Sequence, residues 1–432
     1  MAHFDLVIIG GGPAGLTAGL YAARANMNAI LFESKGVGGE ILNTDLIEDW
    51  PGEQSITGRA LAEKMAEHAE RFGLKIELKA VDKIRSEGDR KIIRMADGTE
   101  HTAYAVIVTV GGEPIKLGVP GEEKFHGRGV SYCAVCDGAF FKGLDLAVIG
   151  GGDSAFQEGL FLTRFAKKLH VVHRRNEYRA QAILQDRLLG MEKVKTVTPA
   201  HVKEIGGDAD VKWIDIERNG KVERIPVEGV FIFVGFKPVG RHLFEEHIDH
   251  DDNGYLITDQ YMRTNIPGVY AAGDTRAQLA KQITTAVGDA TTAVLHAERY
   301  IEELKHAEKT FPKAEPRVLA EETERVRTIR YVPGETIIKK GDVSDRFFIV
   351  LHGEAVAVRD DGTVVTTLEN GDHFGEIGLL KGTARSATVK AKTDTEVLVM
   401  DRASFERIVT SSAAARSDLE AEANERMKAL QL

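Results

Sequence analysis

The alternation of apolar and polar residues repeats once along the chain. Residues 6–33 and 146–173 align without a gap at a constant offset of 140 positions. Each stretch has the pattern of a short apolar strand, a glycine-rich turn, an amphipathic helix and a second apolar strand. This order predicts two βαβ units with parallel strands, and therefore an α/β fold class.

The pattern changes near residue 310. A long helical pattern ends there, and the segment TFPKAEP, with two prolines, fits a short linker over 310–316. A charged helical stretch follows at 317–327, and from Tyr331 onward short β-rich runs are separated by glycine or charged turns. This pattern predicts a C-terminal β-roll with flanking helices.

Length and composition limit the classes of protein to consider. A chain of 432 residues is long enough for about three domains. The net charge of −10 argues against a nucleic-acid or anionic-membrane footprint, and no run approaches the roughly 18 apolar residues of a membrane span. Only Cys133 and Cys136 are cysteines, which suits a reducing compartment. We expect a cytoplasmic protein.

The first repeated unit has the glycine spacing of a dinucleotide-binding turn. Gly10 makes the tight turn, Gly12 lets the backbone approach a pyrophosphate, and Gly15 allows the helix to pack on the strand. Glu33 ends the second strand, where an acid accepts a hydrogen bond from a ribose 2′-OH. The unit therefore predicts a Rossmann-like site for a dinucleotide with an unphosphorylated ribose.

The second unit has the same turn but a different strand end. Gly150, Gly152 and Ala155 occupy the three turn positions, alanine being an accepted third residue. The acid of the first unit is absent, and the strand end carries His173, Arg174, Arg175 and Arg179. Because guanidinium groups bind phosphate in bidentate fashion, this cluster predicts a site for the 2′-phosphate of NADPH rather than a solvated basic turn.

The two cysteines lie between the repeated units in the segment CAVCDG, residues 133–138. Zinc needs about four ligands, and no further cysteine is available, so we expect no metal. A CxxC pair lowers thiol pKa values and cycles readily, which favours a redox dithiol over a purely structural disulfide. Asp137, next to Cys136, is either the proton donor of the dithiol chemistry or a turn residue before Gly138.

Residues 1 to about 310 resemble the low-molecular-weight thioredoxin reductase family. The motifs that carry the resemblance follow one another as GGGPAG, IEDWPG, CAVCDG, GGGDSA, HRRNEYR, FIFVGFKP and GVYAAGD. The resemblance implies an FAD- and NADPH-dependent enzyme that reduces thioredoxin or a related redoxin and functions as a homodimer. It also implies that Gly273 and Asp274 contact FAD, that Gln282 lies near the isoalloxazine, and that Cys136 lies nearer the flavin while Cys133 reacts with the partner disulfide.

In this family the NADPH domain interrupts the FAD domain. The resemblance therefore divides the chain into two Rossmann-like domains and a C-terminal extension. The expected parts are the first FAD-binding segment 1–115, the NADPH-binding domain with the CxxC motif 116–243, the second FAD-binding segment 244–309, the linker 310–316 and the C-terminal domain 317–432.

The C-terminal domain carries the segment FGEIGLLKGTARSATV, residues 374–389. A helix N-terminus, an arginine and a hydroxyl can hold one phosphate, and a carboxylate can accept from a ribose hydroxyl. The residues concerned are Gly375, Glu376, Arg385 and Ser386. The segment resembles the phosphate-binding cassette of cyclic nucleotide-binding domains, which implies that Glu376 contacts the ribose 2′-OH and Arg385 the cyclic phosphate of cAMP or cGMP.

The leading hypothesis is an NADPH-dependent FAD disulfide reductase of thioredoxin or a similar redoxin, modulated by a cyclic nucleotide. Two alternatives remain open. The chain is a cyclic-nucleotide sensor on a flavoprotein platform, or it reduces a dedicated partner other than thioredoxin. The β-roll itself is either a nucleotide site or a dimerisation or docking module.

Overall fold

The first repeated unit begins a mixed α/β region. The computed structural model describes residues 1–44 and 46–431. Its first elements are β1 (His3–Ile9), α1 (Pro13–Arg24), β2 (Ala29–Glu33), a 3-10 helix (Gly39–Asn43), α2 (Gly58–Arg71), β3 (Lys75–Leu78), β4 (Val81–Glu87), β5 (Arg90–Met95), β6 (Glu100–Val108) and β7 (Gly112–Pro114).

The second repeated unit lies in the next region. Its elements are β8 (Val130–Ser131), α3 (Ala134–Asp137), β9 (Asp145–Gly150), α4 (Asp153–Leu162), β10 (Lys168–Val172), α5 (Ala182–Leu189), β11 (Val194–Val197), β12 (His201–Gly207), β13 (Val211–Arg218), β14 (Lys221–Pro226), β15 (Gly229–Phe233) and β16 (Phe236–Pro238). A parallel sheet has the order β11-β10-β9-β15-β8, and β12, β13 and β14 form a separate antiparallel sheet.

The chain then returns to the first sheet. Strand β17 (Val269–Ala271) pairs in parallel with β6, and α6 (Ile283–Thr310) follows it. The completed sheet has the order β3-β2-β1-β6-β5-β4 with β17 on β6. Alternate residues of β1 face opposite sides: Leu6 and Ile8 pack with α1 and α6, whereas Val7 and Ile9 pack in the cluster on the other face. The short pair β7 and β16 connects this region to the inserted one.

The last region is a β-roll with helices. Its elements are α7 (Pro316–Thr323), β18 (Arg327–Tyr331), β19 (Thr336–Ile338), β20 (Arg346–His352), β21 (Ala355–Val358), β22 (Val364–Leu368), β23 (His373–Phe374), α8 (Glu376–Lys381), β24 (Thr388–Ala391), β25 (Thr395–Asp401), α9 (Arg402–Thr410) and α10 (Ala413–Gln431). Two antiparallel sheets have the orders β18-β25-β20-β23 and β19-β24-β21-β22. The predicted α/β fold with a C-terminal β-roll is confirmed.

The β-roll packs directly on the end of α6. Strand β20 alternates, so that Phe348 and Val350 fill the interior of the roll while Phe347 and Ile349 face outward. The outward residues join the same buried cluster as α6, and the rings of Phe311 and Phe347 are 5.3 Å apart. The C-terminal domain is therefore held against the first region by a shared apolar core.

Among the described residues, no helix has the length and apolar character needed to cross a membrane.

Candidate functional site

The glycine turn of the first unit leaves room for a phosphate in front of α1. The helix begins at Gly12 without a side-chain cap, so its first N–H groups stay available to an anion. A Cβ at Gly15 would stand 1.8 Å from the Gly10 carbonyl oxygen, so only glycine lets α1 pack this close to β1. The turn therefore fits the pyrophosphate of a dinucleotide.

Glu33 lies at the end of β2, as predicted, and its carboxylate is fixed by the backbone. Oε2 accepts from the N–H of Gly11 at 2.6 Å, and Oε1 accepts from the N–H of Lys35 at 2.7 Å. A carboxylate can accept more than these two hydrogen bonds, so a ribose hydroxyl can still bind. The donor and acceptor set of this turn fits the adenosine part of FAD.

The segment after β17 reaches the same turn from the other side. Gly273 lies against Ala14 of α1, and its N–H donates to Asp289 of α6 at 3.1 Å. Arg276 donates to the same Asp289 carboxylate at 2.8 Å. Burial raises the pKa of the neighbouring Asp274 carboxyl. The structure thus brings Gly273 to the start of α1, and Asp274 follows it in sequence.

Gln282 is the N-cap residue of α6, and its backbone N–H donates to Thr285 Oγ1 at 3.2 Å. The helix that starts here is the one that carries Asp289 and whose far end supports the β-roll.

The second turn repeats the first. Helix α4 begins at Gly152 without a side-chain cap, and Ala155 is fully buried beneath the turn. The imidazole of His173 lies so close to Gly151 that a Cβ there would meet it at 2.5 Å. Burial and the nearby arginines lower the pKa of His173, so its ring is neutral at pH 7. Its Nε2 is buried and has no partner among the described residues.

The positive charge at this strand end comes from the arginines. Arg174, Arg175 and Arg179 are exposed. The N–H of Arg179 donates to the carbonyl oxygen of Gly151 at 2.7 Å, which ties the basic loop to the glycine turn. Guanidinium groups beside a helix N-terminus fit a dinucleotide that carries an additional phosphate.

Cys133 and Cys136 form a disulfide at the start of α3. Cys133 is the N-cap residue, and its Sγ accepts from the N–H of Cys136 at 3.1 Å. The N–H of Ala134 donates to the buried Glu158 carboxylate of α4 at 3.2 Å. Asp137 is the last residue of α3, so its carboxyl lies in the same helical turn as the two cysteines.

The disulfide faces a residue from the first sheet region. Asn43, at the end of the 3-10 helix, places Oδ1 3.3 Å from Cys133 Sγ and 3.8 Å from Cys136 Sγ. Its Nδ2 donates to Glu40 Oε2 at 2.9 Å. Although Glu40 keeps contact with solvent, crowding by protein atoms raises the pKa of its carboxyl. The inserted region thus presents its disulfide to the region that carries the first glycine turn.

The C-terminal cassette contains a buried acid and a buried base. Glu376 begins α8 and is 1% exposed, and Arg385 is 5% exposed. The Arg385 guanidinium donates to the carbonyl oxygens of Gly375 at 2.9 Å and Arg346 at 2.7 Å. Its nearest carboxylate oxygen, on Asp345, is 3.7 Å away. A buried cation with so weak a counter-charge fits an anionic ligand.

The C-terminal helix enters the cassette. Arg426 of α10 donates to Glu376 Oε1 at 3.1 Å and to the carbonyl oxygen of His373 at 2.6 Å. It also pairs with Glu422 on its own helix at 2.8 Å. Ser386, the fourth predicted residue, follows Arg385 and is exposed.

Sequence reasoning missed four residues of these sites, namely Asn43, Glu158, Asp289 and Arg426. Asp289 and Glu158 could have been identified from the sequence, because each is an acid within an otherwise apolar helical stretch. Asn43 and Arg426 could not have been identified in this way, since each reaches its site only through the packing of distant segments.

Comparisons with known proteins match two separate parts of the chain. The family model for pyridine nucleotide-disulphide oxidoreductases matches residues 4–290, and the model for cyclic nucleotide-binding domains matches residues 328–412. Thioredoxin reductase of Listeria monocytogenes is 45% identical over 311 residues, covering 70% of this chain and 96% of that protein. Thioredoxin reductase of Bacillus subtilis is 43% identical, covering 71% of this chain and 98% of that protein.

Solved structures give the same result. The crystal structure of Lactococcus lactis thioredoxin reductase in its FR conformation is 43% identical, with a TM-score of 0.68, and covers 69% of this chain and 99% of that one. Thioredoxin reductase of T. acidophilum is 33% identical with a TM-score of 0.66. The chain therefore belongs to the thioredoxin reductases of the pyridine nucleotide-disulphide oxidoreductase family, which are NADPH- and FAD-dependent disulfide oxidoreductases, and it carries in addition a cyclic nucleotide-binding domain.

Proposed function

We propose that this protein transfers electrons from NADPH through FAD and the Cys133–Cys136 disulfide to thioredoxin or a similar redoxin, and that cAMP or cGMP bound at the C-terminal domain modulates this activity. The observation that carries the first part is the position of the disulfide. It faces Asn43 of the region with the first glycine turn, while the second turn lies in its own region.

The first site holds FAD in this proposal. The N-terminus of α1 binds the pyrophosphate, Glu33 accepts from the adenosine ribose, and Gly273, Asp274 and Gln282 contact the remainder of the molecule. When bound, FAD supplies the two-electron carrier between NADPH and the disulfide. The segments 1–115 and 244–309 together form this domain.

The second site, within residues 116–243, holds NADPH. The N-terminus of α4 binds its pyrophosphate, and Arg174, Arg175 and Arg179 bind the 2′-phosphate. His173 is neutral, so it contributes packing and one hydrogen bond instead of charge.

At the disulfide, the proposed roles of the two sulfurs differ. Cys136 lies nearer the flavin and Cys133 reacts with the partner disulfide, as the family resemblance implies. The N–H of Cys136 donates to Cys133 Sγ and stabilises negative charge on that sulfur. Asp137, in the same turn, is placed to supply the proton that the other sulfur needs.

The second part of the proposal concerns residues 317–432. Glu376 accepts from the ribose 2′-OH, and Gly375, Arg385 and Ser386 hold the cyclic phosphate. Modulation is supported by the packing of this domain on α6, because the same helix carries Asp289 at the FAD end. We also propose that the protein acts as a homodimer, as the family resemblance implies.

The test is NADPH-dependent reduction of thioredoxin by the purified, FAD-loaded protein, measured alone and with saturating cAMP or cGMP. Turnover that changes with one nucleotide supports both parts. A Cys136→Ser enzyme should still consume one equivalent of NADPH to reduce its flavin but should lose disulfide turnover.

Other outcomes separate the alternatives. Turnover that ignores both nucleotides keeps the reductase and leaves the β-roll as a docking module. Turnover with another redoxin alone indicates a dedicated partner. No turnover with any disulfide favours the sensor.

A further inference from the structure

Within the described ranges 1–44 and 46–431, Asn43 brings a polar side chain from the other domain into contact with the sulfurs of the disulfide. Asn43 Oδ1 lies 3.3 Å from Cys133 Sγ and 3.8 Å from Cys136 Sγ. Asn43 belongs to the region of the first glycine turn, whereas both cysteines belong to the inserted region. Its contact therefore exists only while the disulfide faces the FAD-binding region.

The orientation of the Asn43 amide is fixed by its other partner. Nδ2 donates to Glu40 Oε2 at 2.9 Å, and an ionised carboxylate can only accept hydrogen bonds. The nitrogen therefore faces Glu40 and the oxygen faces the sulfurs. A flipped amide would place two oxygen acceptors against each other.

We propose that Asn43 is a catalytic residue of the disulfide step: its side-chain oxygen accepts the hydrogen of the Cys133 thiol that forms when the disulfide opens. In that step two electrons from the established reaction break the S–S bond, and two protons complete the two thiols. A disulfide sulfur carries no hydrogen, so the contact becomes a hydrogen bond only in the reduced enzyme. The inference rests on the redox-active disulfide and not on the identity of the partner or the effector.

The hydrogen bond has a defined chemical effect. An acceptor oxygen stabilises the S–H form and not the thiolate, so it opposes the N–H of Cys136, which stabilises the thiolate. Among the residues that the structure describes, the acidic groups around the sulfurs include Glu40, Asp137 in α3 itself and Glu158 in α4. All three favour the protonated thiol as well, and they stay unchanged when Asn43 alone is replaced.

The test measures thiol ionisation in the reduced holoenzyme across pH. The FAD-loaded protein is reduced with excess dithiothreitol, freed of reductant and alkylated with iodoacetamide, and modification of Cys133 and Cys136 is followed separately by peptide mass spectrometry. Asn43→Ala should lower the Cys133 pKa and raise its alkylation rate below that pKa by about two- to tenfold, the range of one ordinary hydrogen bond. Asn43→Asp should move both in the opposite direction, because it places a carboxylate at the sulfur.

Two further variants separate this role from a structural one. Asn43→Thr keeps an acceptor oxygen and should remain near the wild-type pKa, and it keeps the test available if the alanine variant folds poorly. Asn424→Ala, on the exposed side of α10, should leave the profile unchanged. Shifts of the same sign in the alanine and aspartate variants, or no shift in either, would overturn the inference while leaving thioredoxin reduction and nucleotide modulation to their own assays.

Discussion

One residue position distinguishes the two repeated units. Glu33 and His173 occupy equivalent places 140 residues apart, and both contact the backbone of their glycine turn. Glu33 carries a negative charge, whereas His173 is neutral because burial and the neighbouring arginines lower its pKa. A carboxylate repels a 2′-phosphate, and a neutral imidazole followed by arginines does not. We therefore expect the identity of this residue to separate the two nucleotide preferences.

This difference predicts the effect of removing the exposed guanidinium groups. In an Arg174→Ala/Arg175→Ala enzyme we expect the KM for NADPH to rise about 10- to 100-fold, which corresponds to a total loss of about 1.4–2.7 kcal/mol for these two exposed groups, roughly the value of one charge-assisted hydrogen bond. The KM for NADH should change little, because NADH has no 2′-phosphate. Steady-state kinetics with both nucleotides measure the ratio.

Lys168→Ala provides the matched control, since this exposed lysine starts the same strand β10 at its opposite end. An equal loss with NADPH and NADH in the double variant would show that the arginines do not read the 2′-phosphate.

A single buried histidine gives the C-terminal domain a pH dependence. Burial and the Arg426 guanidinium lower the pKa of His373 to about 3, and its Nε2 is 3.5 Å from Glu422, too far for a strong hydrogen bond. The unfolded chain takes up a proton near pH 6.5, whereas the folded domain does not. Stability is therefore present above pH 6.5 and falls as the pH decreases, by about 2 kcal/mol between pH 6.5 and 5.

Hydrogen exchange of peptides from residues 328–412 measures this loss as a lower free energy of opening. His373→Gln should abolish most of the pH dependence, because glutamine does not titrate. His201→Gln, an exposed histidine of β12, should keep it. If the His373 variant retained the full slope, other groups would have to account for it.

At the scale of elements, the periodic patterns of the sequence predicted the helices and strands, whose formation depends on nearby residues. The two βαβ units and the β-roll follow from glycine turns and from alternation, because backbone conformation and burial of one face are local properties. The residues Asn43 and Arg426 could not be found this way. Each acts on a partner more than 45 residues away in sequence, and only the packing of separate elements brings them together.

The packing of helix α10 against the cassette leads to a testable prediction. Its Arg426 forms an ion pair with Glu376, the residue whose carboxylate is proposed to bind the ribose of the nucleotide. Arg426→Gln should therefore tighten binding of cAMP or cGMP about tenfold, since the ligand no longer competes with an internal donor and Glu376 is left without its charge partner. Isothermal titration calorimetry on the full-length protein measures the affinity.

The control is Arg416→Gln on the same helix, where the arginine pairs with Glu420, four residues away. Weaker binding in the Arg426 variant would mean that the guanidinium contacts the nucleotide instead of competing with it.

In the whole molecule, a chain of contacts joins the cyclic nucleotide-binding domain to the segment around β17. Glu324 lies between α7 and β18, and it accepts from the N–H of Gly268 and from Arg263, each at 3.1 Å. Gly268 directly precedes β17, which leads to Gly273 and Asp274. We therefore expect a displacement of β18 to reach, through the hydrogen bonds of Glu324, the segment that contacts the start of α1.

Glu324→Gln should weaken the coupling between nucleotide binding and thioredoxin reduction. We expect thioredoxin reduction without nucleotide and nucleotide affinity to stay near wild type, because Glu324 belongs to neither site, while the effect of nucleotide on turnover diminishes. A coupling of about 1–3 kcal/mol is typical, so the nucleotide should shift wild-type partner affinity about 5- to 150-fold. By thermodynamic reciprocity, the partner should shift nucleotide affinity by the same factor.

Glu321→Gln, which removes an exposed pair with Arg317 on α7, should leave the coupling intact. If the Glu324 variant retained full coupling, transmission would have to run through α6 and its apolar contact with Phe347 instead.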